Sequence, residues 1–154
     1  MFLRRLIPSC AIVLAVLSIV SCGRKDVESS SPPHTVRATP LPPLPDPLGF
    51  GGPFAGVSHG ALIVAGGANF DEAEWGTGNK TWHDDIFVLE RGSETWRTGF
   101  SLPAPRAYGV SANYKDGVIM AGGSDAVRAC SDVWYARWTG TGIAVTELPS
   151  LPEP

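Results

Sequence analysis

Along residues 44–154 the apolar positions gather into short runs of about five residues, alternating or nearly continuous, each closed by glycine, proline or aspartate. This pattern predicts strands over Phe54 to Ser58, Ala61 to Ala65, Asp85 to Glu90 and Thr95 to Arg97. A second set is expected over Ala107 to Tyr114, Gly117 to Ala121, Asp132 to Trp138 and Ala144 to Leu148. Asp116-Gly117 and His59-Gly60 suit tight hairpins, because glycine accepts the positive φ such a turn demands. That makes His59 a turn residue. After Cys22, no run of about ten residues keeps a helical apolar period free of glycine and proline, so the fold class is all-β.

The strands recur in order. Leu44-Pro45-Asp46-Pro47 returns as Leu102-Pro103-Ala104-Pro105 and again as Leu151-Pro152-Glu153-Pro154. Between them Phe54-Ala55-Gly56-Val57-Ser58 matches Ala107-Tyr108-Gly109-Val110-Ser111, and Val64-Ala65-Gly66-Gly67 matches Met120-Ala121-Gly122-Gly123. A repeat of roughly 50 residues with a double glycine after an apolar strand points to kelch-type β-propeller blades rather than a helical solenoid. The organisation expected is two four-stranded antiparallel blades, residues 44–101 and 102–150, with the start of a third repeat at 151–154. Trp96, Trp134, Trp138, Phe87, Tyr108 and Tyr135 are assigned to the packing between blades. Propellers close radially with about four to eight blades, so two leave both packing faces open. The expectation is a truncated piece of a propeller, poorly stable alone, or one that associates with further copies or with a complementary propeller fragment.

Ahead of the blades, Arg4 and Arg5 precede an apolar run from Leu6 to Val20 that is too short for a stable span, which reads as an export signal over residues 1–22. It ends Ile19-Val20-Ser21-Cys22, resembling a bacterial lipobox, with Cys22 as the residue to be acylated. Acyl chains embed at about 0.8 kcal/mol per methylene, so the mature protein is expected at the cell envelope, lipid-anchored to a membrane. The alternative is an ordinary signal peptide and a periplasmic or secreted product. Residues 23–43 are rich in proline and serine and read as an extended, solvated linker.

Composition removes several function classes. A net charge of −3 with mixed signs offers no basic stripe for phosphates, which excludes a nucleic-acid partner. Cys130 is the lone cysteine of the folded part and reads as a small apolar core residue. The acidic run Asp71, Glu72, Glu74, His83, Asp84, Asp85 fits neither a calcium loop nor a zinc motif, so no metal is assigned. Gly49 to Gly56 only superficially resembles a dinucleotide fingerprint, since Phe54 stands at the third glycine position and no helix follows. No cofactor is called for.

The stretches Leu48-Gly49-Phe50-Gly51-Gly52-Pro53-Phe54-Ala55-Gly56-Val57, Leu62-Ile63-Val64-Ala65-Gly66-Gly67-Ala68-Asn69-Phe70, Asp85-Ile86 and Arg106-Ala107-Tyr108-Gly109-Val110-Ser111 resemble the N-acetylneuraminate epimerases, the sialic acid mutarotases. The order of the blades is similar to that of the cyclically permuted branch. The resemblance implies a six-bladed kelch propeller that interconverts the anomers of free sialic acid. It also implies a catalytic glutamate and arginine, placed as Gly-Glu after a double glycine with arginine six residues later. Here Ala68 follows Gly67 and Ser124 follows Gly123, so that pair is absent from both blades and catalytic residues are unassigned. A non-catalytic surface kelch module binding glycans or proteins is the alternative.

Antiparallel succession places Arg106 and the loops after Gly67 and Gly123 at one end of the blades. The loop from Ala68 to Asp84 is much longer than Ser124 to Ser131, and long loops on rigid scaffolds commonly carry binding residues. A guanidinium pairs well with a sugar carboxylate, which makes Arg106 the first substrate-binding candidate. Asn69, Lys80 and Arg128 are candidates on the same rim.

Overall fold

The computed structural model describes residues 37–71 and 78–154. Cys22, the export segment that contains it, most of the linker, and Glu72 and Glu74 of the acidic run lie outside the described residues. No helix among the described residues is long and apolar enough to cross a membrane.

The described strands follow in chain order: β1 (Phe54–Ser58), β2 (Ala61–Ala65), β3 (Ala68–Phe70), β4 (Lys80–Trp82), β5 (Asp85–Leu89), β6 (Arg97–Ser101), β7 (Val110–Tyr114), β8 (Gly117–Ala121), β9 (Val133–Trp138) and β10 (Ile143–Leu148). They form two antiparallel meanders, β1-β2-β5-β6 and β7-β8-β9-β10, and a separate hairpin β3-β4. The two meanders are β-propeller blades, with β1 and β7 as their inner strands.

Three strand boundaries differ from those expected. The fourth strand of blade 1 is β6, not Thr95 to Arg97, because Thr95 is still in a turn where Ser93 Oγ donates to its carbonyl at 2.8 Å. Blade 2 begins at Val110 rather than Ala107, because Tyr108 has φ of 63° and interrupts the extended chain. The long loop carries the hairpin β3-β4, three residues a side, too short for a periodic signal.

Pairing also corrects the register of the repeat. Phe54 pairs with Ala65 and Val110 with Ala121, so with the double glycines aligned Phe54 falls on Val110 and not on Ala107. The Gly-Val-Ser similarity is therefore out of step with the backbone. Hairpin turns at His59-Gly60 and Lys115-Asp116, with φ of 49° at His59 and 50° at Lys115, set the register instead.

Strand alternation builds the core. Ile63 and Ala65 of β2, Ile86 and Val88 of β5 and Phe54 of β1 face blade 2, where they meet Val118, Met120, Trp134, Ala136 and Trp138. Each large apolar side chain buried there contributes about 1.5–3 kcal/mol. The aromatic residues divide. Trp134, Trp138 and Phe87 are buried as expected. Trp96 is only half-buried, its Nε1–H donating to the Pro42 carbonyl at 3.0 Å, which ties down the end of the linker. Tyr135 is half-buried and donates to Asp116, while Tyr108 is exposed rather than core.

Polar groups finish the interface. Ser111 Oγ accepts from the Ala55 N–H at 3.1 Å and donates to the Ala55 carbonyl at 2.8 Å. Asn113 Oδ1 accepts from the Val57 N–H at 2.9 Å. These contacts satisfy the side of β1 that β2 does not pair. Ser58 is buried and bridges further out, donating to the Asp116 carbonyl and accepting from the Trp138 N–H at 2.9 Å. Gly56 is required where the strands approach, since a Cβ there would lie 2.6 Å from Val118 Cγ2.

Candidate functional site

At one end of the blades each double glycine turns the chain out of its second strand. Gly66 and Gly67 have φ of 64° and 103°, and Gly122 and Gly123 have 64° and 91°, conformations that an L side chain disfavours. This turn knots the blades together. The Gly67 N–H donates to the Arg106 carbonyl at 2.8 Å, the His83 N–H to the Gly67 carbonyl at 2.9 Å and the Arg106 N–H to the His83 carbonyl at 3.1 Å.

Arg106 is at the expected end, and its guanidinium is buried there. It is 4% exposed, and its Nη2 donates to Asp132 Oδ2 at 2.8 Å while the guanidinium lies 5.2 Å from the Trp134 ring centre. Its Nε and Nη1 are buried without a partner among the described residues. Burial and the Asp132 pair make Arg106 a staple between the approach to blade 2 and the start of β9. The sequence could place Arg106 on this rim but could not reveal the carboxylate that claims it.

The open ground lies beside it. A cleft of about 860 Å³ is lined by Pro47 to Gly51, Ala68 to Phe70, Lys80 and Tyr108. A second, of about 400 Å³, runs from Lys80 and Trp82 to Pro105 and Asp125. Lys80 borders both. Its Nζ sits 4.7 Å from the Trp82 ring centre and 4.5 Å from that of Tyr108, so the ammonium is held between two aromatic faces at the mouth of the clefts. The hairpin β3-β4 supplies Lys80 and Trp82, and Tyr108 comes from blade 2.

Tyr108 is the residue that sequence reasoning misplaced. It takes the left-handed φ that its counterpart Gly52, at 61°, adopts without strain. A tyrosine held so is an outlier of the kind that marks functional positions. Its ring covers Gly52, where a Cβ would collide with it, and lies 4.5 Å from Lys80 Nζ. A bulky residue at the site of a repeat-partner glycine is the signal that could have found it.

Asn69 lines the larger cleft, but its amide is engaged. Nδ2 donates to the Gly49 carbonyl at 3.0 Å, which leaves Oδ1 to accept from His83 Nε2 at 2.7 Å. Asn69 braces the cleft wall. Arg128 lies on the exposed rim of the shorter loop, its backbone N–H donating to Asp125 Oδ1 at 2.8 Å. The N–H groups of Val127 and then Arg128 hold the Asp125 carboxyl below its usual pKa. Among the described residues no three His, Cys, Asp or Glu side chains converge as a metal-binding group. Ala68 and Ser124 stand after the double glycines and supply no acid or base.

The sequence profile of N-acetylneuraminate epimerase matches residues 34–145. The chain belongs to this family. An N-acetylneuraminate epimerase of Yersinia enterocolitica is 41% identical over 105 residues, 60% of this chain and 26% of that protein. One of Salmonella enteritidis is 36% identical over 104 residues, 59% of this chain and 27% of that protein. The solved structure of YjhT aligns with a TM-score of 0.64 at 29% identity, over 69% of this chain and 33% of that one. The chain thus spans about a quarter of the length of the curated epimerases it matches.

Proposed function

We propose that this end of the two blades forms one wall of a site that binds N-acetylneuraminate for anomer exchange, with Lys80 holding the sugar carboxylate. The observation that carries this reading is the Lys80 ammonium, clamped between Trp82 and Tyr108 at the mouth of the 860 Å³ cleft. A positioned cation favours a carboxylate, and Leu48 in the cleft lining offers apolar surface to the acetyl group. Anomer exchange removes the proton of the anomeric hydroxyl and delivers one to the ring oxygen, so the ring opens to the ketone and recloses on its other face. Neither an acid nor a base for those transfers is assigned in these blades. They come, on this reading, from blades that complete the ring.

Binding is tested by NMR titration of the chain with N-acetylneuraminate and with its methyl ester, which lacks the charge. The free acid should bind about tenfold more tightly, and Lys80→Met should abolish the difference. Equal binding of acid and ester to the unaltered chain would remove Lys80 from the role. No binding of either would favour the non-catalytic surface module. Proton NMR of anomer exchange should stay at the spontaneous rate with this chain alone. For location, the basic start, apolar run and Cys22 support a lipid-anchored product at the cell envelope. A mature N-terminus at Cys22 carrying acyl chains, and its release by Cys22→Ala, is the corresponding test by mass spectrometry and fractionation.

A further inference from the structure

The Lys80 ammonium stands where two clefts meet. The larger, of about 860 Å³, runs past Gly49, Asn69 and Tyr108, and the smaller, of about 400 Å³, runs over Trp82 and Pro105 to Asp125 and Val127. Small ligands bind in spaces of about 300–1,000 Å³, so each cleft has room for a sugar. Both blades wall the smaller one, since Trp82 belongs to the hairpin β3-β4 and Asp125 to Val127 to the short loop of blade 2. That loop is fixed at its tip. Asp125 Oδ1 accepts from the Val127 and Arg128 N–H groups at 2.7 and 2.8 Å, and the Asp125 N–H donates to the Arg128 carbonyl at 3.0 Å. Val127 is nevertheless 90% exposed. A valine held in place on a rim, with its side chain in solvent, buries nothing of the protein itself.

We propose that the smaller cleft takes a neutral sugar joined to N-acetylneuraminate through its anomeric oxygen, so that the two blades bind sialic acid glycosides as well as the free acid. This rests on the reading of Lys80 as the carboxylate site. In N-acetylneuraminate the carboxylate and the anomeric oxygen are bonded to one carbon. Once Lys80 holds the carboxylate, whatever is linked through that oxygen begins beside the ammonium. With the sialic acid ring in the larger cleft, the smaller one is the space that opens at this point. Its lining sets the chemistry of the occupant. Trp82, Pro105 and Val127 present apolar surface that the C–H face of a pyranose can cover, and Thr81 adds a hydroxyl. Lys80 is the one cation among the described lining residues, and the sialic acid carboxylate already neutralises it. A second acidic sugar would meet Asp125 and no free cation, which leaves a neutral one. A glycoside has no proton on its anomeric oxygen to give up, so it is held here without anomer exchange.

NMR titration of the full chain tests this with three probes: N-acetylneuraminate, its methyl α-glycoside, and lactose carrying N-acetylneuraminate in α-linkage. The sialylated lactose should bind about tenfold more tightly than the methyl glycoside, which has nothing to place in the smaller cleft. Ala126→Trp, at an exposed position on the cleft wall, should fill that space and abolish the difference. Should the tryptophan disturb the fold, as circular dichroism would show, Val127→Gly on the exposed rim carries the same comparison and should lessen the difference. Equal binding of the two glycosides would overturn this proposal alone, as would binding of the free acid with neither glycoside. A difference that survives both substitutions would overturn it too. No binding of any of the three would overturn it together with the role of Lys80.

Discussion

Blades 1 and 2 share one backbone register, and they fill it with different chemistry. The bridges Gly51 to Ala68 and Ala107 to Ser124 align Phe50 with Arg106, and the N–H groups of His83 and Cys130 make the same bond to Gly67 and Gly123. In blade 1 those positions hold Phe50 edge-on to His83, 5.1 Å between ring centres, beneath a cleft closed by a hairpin. In blade 2 they hold a buried guanidinium and a buried thiol beneath a short loop that Asp125 ties off. Strands fix where a residue stands, whereas the loop between the second and third blade strands decides whether that position faces a ligand or the interior. The second contrast is in burial: among the described residues blade 2 covers the inner strand of blade 1, where Phe54 is 1% exposed, and Val110 of β7 is 70% exposed.

The largest effect expected from breaking this comparison is at the aligned pair Phe54 and Val110. Phe54→Ala should lower the unfolding free energy by about 3–5 kcal/mol, through lost burial and the cavity left between blades. Val110→Ala, on the open face, should change it by less than about 0.5 kcal/mol. Urea denaturation followed by tryptophan fluorescence measures both, and equal effects would mean that the blades do not pack as described. Next comes the contrast of staple with rim. Arg106→Ala should cost about 2–3 kcal/mol by removing the bond to Asp132 and the cover over Trp134. Lys80→Met should cost no more than about 1 kcal/mol, the cation–π contribution at an exposed site. A thermal melt of each separates the two roles.

Ser111→Ala should cost about 1 kcal/mol, because the backbone groups of Ala55 that lose the hydroxyl can turn to water. The smallest effect is a pH dependence at the opposite end of the blades. Tyr135 Oη–H, and then the Arg137 guanidinium, hold the Asp116 carboxyl from 3.8 down to about 2. A carboxyl with a depressed folded-state pKa contributes stability above its unfolded value and loses it as the pH falls through the folded one. Stability should therefore decline as pH drops from about 3.8 towards 2, and Asp116→Asn should flatten that slope in melts across the window.

The strands β1, β2 and β8 were legible in the sequence because alternating or continuous apolar runs end there at hairpin glycines. The kelch-type architecture followed from the repeated double glycine, whose positive φ few other residues tolerate. What the sequence hid was mostly partnership. Arg106 reads as a free cation until the fold brings Asp132 and Trp134 against it, and the bonds of Asn69 to Gly49 and His83 have no sign in the sequence. Lys80 reads as one loop lysine among several until folding sets Trp82 and Tyr108 on either side. The Gly-Val-Ser match misled because residue likeness was followed where hairpin geometry fixes the alignment. Ser111 and Asn113 did leave a trace, two polar residues alternating within an inner strand, and their meaning lies in the strand of another blade.

The Ser111 hydroxyl on the backbone of Ala55 gives the assembly a direction in time. Blade 2 completes the inner edge of blade 1, which is made before it. As the chain leaves the ribosome, the exposed template for stray strand pairing therefore moves forward with synthesis instead of accumulating. The edge of blade 1 is a hazard only until Ser111 and Asn113 have been made.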